Sequence, residues 1–250
     1  MCNLVLDIET IGTTREDVRE YIAASIKPPA TIKLPASIEK WHKENKSEAI
    51  EEAIAKTSFD GAFGQVVCIG YHTECMGLGE VHGLDEPDLL NAFNFALGAI
   101  PKSEFFTTVV VGHHVVEFDL RFLIQRYIVN GIPPHPILVR AASAKPWEIN
   151  KVYDTMVQWA GVGKQVPLDK LCMALGIKSP KCDMDGSMVG QYVKDGRLDE
   201  VANYCKNGDV VATLQVYQRM TFQPMVYEPE TSPTPTNTTE PLFDADDVVF

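Results

Sequence analysis

Leu4-Val5-Leu6-Asp7-Ile8-Glu9-Thr10 is an apolar run interrupted by two acids two residues apart. Such a run reads as a buried strand, on which side chains two apart point the same way. Two carboxylates on one face, where a strand leaves its sheet, form a cup for hard divalent cations. Two further acids lie far along the chain. Asp119 ends Val109-Val110-Val111-Gly112-His113-His114-Val115-Val116-Glu117-Phe118-Asp119, a second apolar strand that turns into a helix. Asp209 heads Asp209-Val210-Val211-Ala212-Thr213, read as the start of a late helix. Any one of these acids is unremarkable, because the helix macrodipole draws acids to helix starts. Their order and character carry the reading.

The rest of the chain divides around these acids. Strand patterns cover Asn3 to Glu9, Val66 to Tyr71, Glu80 to Gly83 and Thr107 to Val111. Between the first two, Arg15 to Lys56 reads as a helical insertion, with helices at Asp17–Ile26 and Ser37–Ala55 parted by Lys27-Pro28-Pro29. Pro87 near a first turn starts another helix, and Glu117–Val129 and several later segments are helical. Strands interleaved with helices indicate an α/β class.

At 250 residues and 45% hydrophobic, the chain buries a sizeable core as one domain with appendages. No window is long and apolar enough for a membrane span, and no signal-peptide pattern follows Met1. Six scattered cysteines without a C-x-x-C pair read as reduced core residues, so a cytoplasmic location is expected. The net charge of −12 looks wrong for a protein that meets phosphates. Six acids and no base after Thr221 account for half of it. Arg140 to Lys181, by contrast, carries seven bases against three acids. That stretch is the candidate for backbone contact, and a merely solvated face is the alternative.

With those acids in view, the chain resembles the DnaQ-like 3′–5′ exonucleases of the ribonuclease-H-like superfamily. These carry Asp-x-Glu, a central Asp, and a late Tyr or His before a final Asp. It is most similar to the predicted exonucleases related to the proofreading domain of family-B DNA polymerases, especially phage and prophage versions. Thr57-Ser58-Phe59-Asp60-Gly61 leading into Gly64–Gly70, Tyr153-Asp154-Thr155-Met156, Leu168-Asp169-Lys170-Leu171-Cys172 and Asp183–Val189 extend the likeness over roughly residues 1 to 220. It implies a ribonuclease-H-like mixed sheet in the order 3-2-1-4-5, flanked by helices, with the site at the end of the first strand. It also implies a catalytic set of Asp7, Glu9, Asp119, Tyr204 and Asp209. The four acids would hold two ions, Mg²⁺ or Mn²⁺: Asp7 bridging both, Glu9 and Asp209 completing the first, Asp119 holding the second largely through water. Two such ions activate water and stabilise the leaving oxygen of a phosphodiester, and all-carboxylate ligation suits them better than zinc.

Tyr204 departs from the pattern. Tyrosine-type members place Tyr four residues before the last Asp and histidine-type members place His five before. In Tyr204-Cys205-Lys206-Asn207-Gly208-Asp209 the Tyr stands at the histidine distance, with Cys205 where Tyr is usual. On one continuous α-helix, five residues leave the two about 140° apart. Asn207-Gly208 is a turn signal, which would let Tyr204 sit on a preceding segment and still lean in; core packing is the alternative. A phenol titrating near 10 is better suited to orienting water than to deprotonating it. His113 and His114 stand where related sequences often have Asn, and either a contact to phosphate or sugar or a structural role fits them. Glu117 reads as a solvated helix-start acid or an extra acid at the site, Asp154 as a helix N-cap or a buttress of the site, and Phe118 and Phe122 as core residues or a wedge at the terminal base.

From residue 221 the chain is Pro- and Thr-rich and reads as a disordered acidic tail, against a domain spanning 1 to 220. Its ending, Asp246-Asp247-Val248-Val249-Phe250, resembles the tip of bacterial single-stranded-DNA-binding proteins. Docking on proteins that recognise such tips, folding back on the chain's own basic face, and simple solubilisation are all open. The expected activity is metal-dependent 3′–5′ hydrolysis of single-stranded DNA from its 3′ end. The rivals are an exoribonuclease and a catalytically silent nuclease fold that binds DNA ends as an adaptor.

Overall fold

A computed structural model describes residues 2–180 and 184–226. Five strands form one sheet: β1 (Asn3–Ile11), β2 (Gln65–Thr73), β3 (Gly77–His82), β4 (Val109–Gly112) and β5 (Val152–Asp154). The spatial order is β3-β2-β1-β4-β5. β1, β2 and β3 are antiparallel neighbours, while β4 and β5 continue the sheet in parallel with β1. This is the mixed, helix-flanked sheet that the resemblance implied.

Alternation along β1 divides its side chains between two helical layers. Leu4, Leu6 and Ile8 join one core with Leu90, Phe93 and Leu123, contributed by α4 (Glu86–Leu97) and α5 (Asp119–Val129); α6 (Pro136–Ala142) closes that side. Val5 faces the opposite way and packs with Val210, Leu214 and Tyr217. Ile11 packs on that face with Val189, Val201 and Cys205. That second layer comes from α7 (Thr155–Ala160), α8 (Leu168–Leu175), α9 (Val189–Lys194), α10 (Leu198–Tyr204) and α11 (Val211–Met220).

Between β1 and β2 the insertion folds as α1 (Glu16–Ser25), α2 (Pro35–Glu44) and α3 (Lys46–Lys56). The second expected helix is broken at Asn45, whose φ of −120° leaves helical geometry. Val18, Ile22 and Ile54 form a small core of its own. The insertion is anchored to the end of β1: the Thr13 amide donates to Thr57 Oγ1 at 2.7 Å, and Thr10 Oγ1 donates to the Ser58 carbonyl at 2.7 Å. Gly12 is required there, because a Cβ would lie 2.4 Å from the Ile54 carbonyl oxygen.

The late helices differ most from expectation. Asp209 does not open a helix, and Asn207-Gly208 does not make a turn between separate segments. α10 runs into α11 through a π turn at Cys205–Val210, so residues 198–220 form one continuous helix with a locally widened turn. A π turn accommodates one extra residue inside an α-helix and recurs at functional sites. The acidic tip from Asp246 to Phe250 and most of the Pro-rich tail lie outside the described residues. Among the described residues no helix is long and apolar enough to cross a membrane.

One buried ion pair ties the first layer to the sheet. Arg126 Nη2 meets Glu86 Oε2 at 2.6 Å, both side chains nearly without exposure. Glu86 also accepts from the Val66 amide at the start of β2, and Arg126 donates to the Gly61 carbonyl. Removing one partner strands a buried charge, at a cost of about 3–5 kcal/mol. Glu86→Ala is therefore expected to lose that much stability in urea unfolding, and a loss below about 1 kcal/mol would show that solvent reaches the pair.

Candidate active site

β1 outruns its parallel neighbour: β4 pairs with Asn3, Leu4 and Val5 only, so Asp7 and Glu9 stand beyond the end of β4. A register shift on the other side, between Glu9 and Thr10, leaves Val67 of β2 unpaired; bulges of this kind re-aim side chains beside sites. Glu9 is buried, and Asp7 is partly exposed.

The chain leaves β4 at Gly112, where a Cβ would sit 2.4 Å from that of Val115. It then turns through His114, whose φ is +66°, and enters α5 at Asp119. Asp119 Oδ1 accepts the Ile8 amide at 3.1 Å. The amide lying between Asp7 and Glu9 in sequence thus holds the third acid beside the first two.

Asp209 arrives on the π turn, and Tyr204 with it. Burial, then the nearby Asp209 and Glu9 carboxylates, drive the Tyr204 pKa up, which places the phenol close to the acids. The i,i+5 spacing that would separate these residues on an α-helix is met by the widened turn. The same relation recurs one residue on: Cys205 and Val210 both press on Gly70 of β2, where a Cβ would lie 2.8 Å from each side chain. Lys206 adds an ion pair to Glu80 of β3 at 2.6 Å.

Crowding raises the pKa of Asp7, Glu9 and Asp119. Asp7 is pushed well above the usual carboxylate range by burial, then by Asp209, Asp119 and Glu9. Glu9 is pushed up by burial, then by Asp209, with Cys68 and Asp119 adding to it. Asp119 is raised to about 7, mainly by burial, against the amide bonds that it accepts. No Lys or Arg figures among the leading influences on Asp7, Glu9 or Asp119.

A crowded set of carboxylates, Glu9 and Asp119 buried and Asp7 and Asp209 half-buried, fits a divalent cation. Among the described residues, ligand atoms of Asp7, Glu9 and Cys205 lie within 4.8 Å of one another. Cys205 was read from the sequence as a core residue. Here its thiol lies 3.4 Å from Asp7 Oδ2 and 3.6 Å from the Asp7 carbonyl. The Cys68 sulfur, burial and the acids hold that thiol protonated, so it acts as a donor to Asp7, and the carboxylates remain the hard ligands.

The other candidates separate clearly. His113 is engaged on both nitrogens: Nε2 with the Val166 carbonyl at 2.8 Å and Nδ1 with Thr155 Oγ1 at 2.9 Å. It braces the turn. Asp154 both caps α7, through the Met156 and Val157 amides, and accepts the His114 and Val116 amides, which fixes the turn into Asp119. Glu117 is exposed and pairs with Arg121 at 3.4 Å. Phe118 packs at 5.7 Å from Phe122. On its outer side, 6.3 Å away, stands the ring of Phe59, 75% exposed. Phe59 was legible only as part of a family stretch, because a lone exposed aromatic has no periodic signal.

A carboxyl whose pKa is raised by folding holds its proton more tightly in the folded chain. Its stabilising contribution is complete below the unfolded value, near 4, and is lost as pH rises through the folded value. For Asp119 that window closes at about 7, and Asp7 and Glu9 act in the same direction. With divalent cations chelated, Asp119→Asn should melt above the native chain by a margin that grows from about pH 5 to about pH 8. Added Mn²⁺ should reverse the order, because it binds and stabilises only the intact site. A margin that stays constant with pH, measured by thermal unfolding, would show that the carboxyl is not crowded.

Residues 66–232, two thirds of the chain, match the family described as predicted 3′–5′ exonuclease related to the exonuclease domain of PolB. No curated protein matches. Among solved structures, the family B DNA polymerase of the hyperthermophilic archaeon Pyrobaculum calidifontis is similar, with a TM-score of 0.53 and 16% identity. The likeness covers 89% of this chain and 24% of the polymerase, so the chain spans about a quarter of that protein's length. At that identity the likeness speaks for the fold, and the family match speaks for descent. The chain belongs to the family of predicted 3′–5′ exonucleases related to the exonuclease domain of PolB.

Proposed function

We propose that this protein removes nucleotides from the 3′ end of single-stranded DNA by hydrolysis that depends on Mg²⁺ or Mn²⁺. The observation that carries the reading is the convergence of Asp7, Glu9, Asp119 and Asp209, from β1, α5 and the π turn, on one crowded spot. Asp7, Glu9, Asp119 and Asp209 are assigned to hold two cations. When bound, such ions lower the pKa of a water and stabilise the leaving oxygen of an in-line displacement.

The chain's own groups do the rest. The Cys205 thiol donates to Asp7 and the Ile8 amide to Asp119, so each carboxylate keeps a fixed orientation. Tyr204, held protonated by its surroundings, is no base; its hydroxyl is assigned to orienting the attacking water. Phe59 and Phe118 offer apolar faces beside the acids for the terminal base. The preference for DNA follows from the polymerase-related family, since no residue here identifies a reader of the 2′-hydroxyl.

The acidic tip ending in Phe250 is assigned to docking on proteins that recognise single-stranded-DNA-binding-protein tips, with Asp246 and Asp247 meeting bases and Phe250 an apolar pocket. A chain ending at Tyr227 should then lose binding to such a protein in fluorescence polarisation; equal binding by both chains ends that assignment.

For the activity itself, a 5′-labelled single-stranded DNA and its RNA counterpart are incubated with Mg²⁺ or Mn²⁺. A ladder shortening from the 3′ end is expected on DNA. Asp7→Ala should slow it by about 10³-fold, and Tyr204→Phe, which removes only an orienting hydroxyl, by up to about 10²-fold. Shortening of the RNA alone would move the assignment to an exoribonuclease. Cation-independent binding without cleavage of either strand would leave an adaptor.

A further inference from the structure

Asp7 and Glu9 share their cluster with a thiol, that of Cys205. The thiol donates to Asp7, a duty that a hydroxyl would discharge equally well. Sulfur itself is therefore left unexplained by the hydrolysis of a phosphodiester.

The sulfur is confined from several sides. It lies 3.4 Å from Asp7 Oδ2 and 3.6 Å from the Asp7 carbonyl oxygen. On β2 it rests against Gly70, where a Cβ would come within 2.8 Å of it. The π turn at Cys205–Val210 is flanked by helix on both sides, and the Cys205 side chain has no exposure. A side chain so enclosed keeps its sulfur beside the acids.

The same distances suit a metal. In a tetrahedral site a sulfur at about 2.3 Å and an oxygen at about 2.0–2.2 Å from the ion stand about 3.5 Å apart. The Cys205 sulfur and Asp7 Oδ2 are already at that separation. Glu9 supplies a third ligand atom, all three lying within 4.8 Å of one another. Glu9 and Cys205 are buried and Asp7 is half-buried, which leaves the group one solvent-facing member. Three protein ligands and an open fourth position suit a four-coordinate ion of the Zn²⁺ class. Mg²⁺ and Mn²⁺ take oxygen and leave the thiol as a donor, whereas softer ions select sulfur.

We propose that Cys205 equips this site to take a thiophilic divalent cation of the Zn²⁺ class in place of the harder ions, with Asp7, Glu9 and Cys205 as its three protein ligands. The S–H bond breaks as the metal–sulfur bond forms, and its proton passes to solvent. The charge of the cation drives that exchange, as it does wherever a thiol coordinates. The proposal rests on the acid cluster being the cation site of the exonuclease reading, and it makes Cys205 the residue that sets which cation the site prefers.

The full chain, freed of metal by a chelator that is then removed, is titrated with Co²⁺ as a coloured stand-in for Zn²⁺. A sulfur-to-cobalt charge-transfer band should appear, saturate at one equivalent and bleach when Zn²⁺ is added. Cys2 and Cys75, whose sulfurs stand 4.0 Å apart by the opposite end of β1, are the competing thiols. The band should therefore survive Cys75→Ser and vanish in Cys205→Ser. Competition against a chromophoric chelator should show the ratio of Zn²⁺ to Mn²⁺ affinity falling at least about tenfold in Cys205→Ser, which loses the sulfur and keeps a donor to Asp7. Zinc-edge X-ray absorption needs no substitution: the native chain should show one sulfur at about 2.3 Å beside oxygens.

A zinc shell without sulfur, a shell with two sulfurs, a cobalt band that Cys205→Ser leaves intact, or an unchanged affinity ratio each overturns the proposal. Failure of the exonuclease reading shows separately: the sulfur-bound cation would be found while neither Mg²⁺ nor Mn²⁺ supported any shortening of DNA. Shortening of DNA by a chain whose zinc shell holds no sulfur would overturn the proposal alone.

Discussion

Four carboxylates forced together at the end of one strand are the constraint around which the structure is arranged. Like charges crowded into one site raise one another's proton affinity, and the contacts seen on Asp7 and Asp119 are a thiol and an amide, neither of which carries a positive charge. Such a cluster must be held by scaffolding that cannot relax. The sheet supplies Asp7 and Glu9 on a central strand, and Asp119 is pinned to the backbone of that strand. The Glu86–Arg126 pair fixes α5 two turns beyond Asp119, where the helix meets the start of β2. The stability given up in the cluster is what a bound cation would recover.

Much of this was legible because it follows from periodicity. Asp7 and Glu9 share a face by strand alternation, and Leu4, Leu6 and Ile8 share the other. The interleaving of strands and helices gave the class, and the order 3-2-1-4-5 came with the resemblance and is the order found. Helix boundaries failed where tertiary contacts decide them. Asn45 interrupts the insertion helix, since α2 buries no residue fully and only α3 carries the apolar contact to α1. His113 and His114 looked interchangeable in sequence. One is consumed by the Val166 carbonyl and Thr155, and the other turns with positive φ into a cavity.

The spacing of Tyr204 and Asp209 was misread for a physical reason. Angular arithmetic on a helix assumes 100° per residue throughout, and a π turn has no composition that announces it. Asn207-Gly208 gave a turn signal that was correct about local irregularity and wrong about its form: the helix widens and does not break. A Cβ at Gly208 would meet Pro180 at 3.5 Å, an ordinary contact, so space does not demand the glycine there.

The extra residue, the thiol at position 205 and the glycine at position 70 depend on one another. A helix carrying Tyr204 and Asp209 on one face must come close enough to β1 and β2 for both to reach Asp7 and Glu9. That approach puts Cys205 and Val210 directly on the backbone of β2, where only Gly70 leaves space. A ring at position 205 would not fit between Gly70 and the Asp7 carbonyl, which the Cys205 sulfur already approaches to 3.6 Å. With a small residue at 205, the aromatic hydroxyl has to come from the position before it, and only a turn one residue longer brings position 204 round to Asp209. The departure from the family spacing and the cysteine within it are therefore one structural change, made at two adjacent positions and accommodated by the π turn.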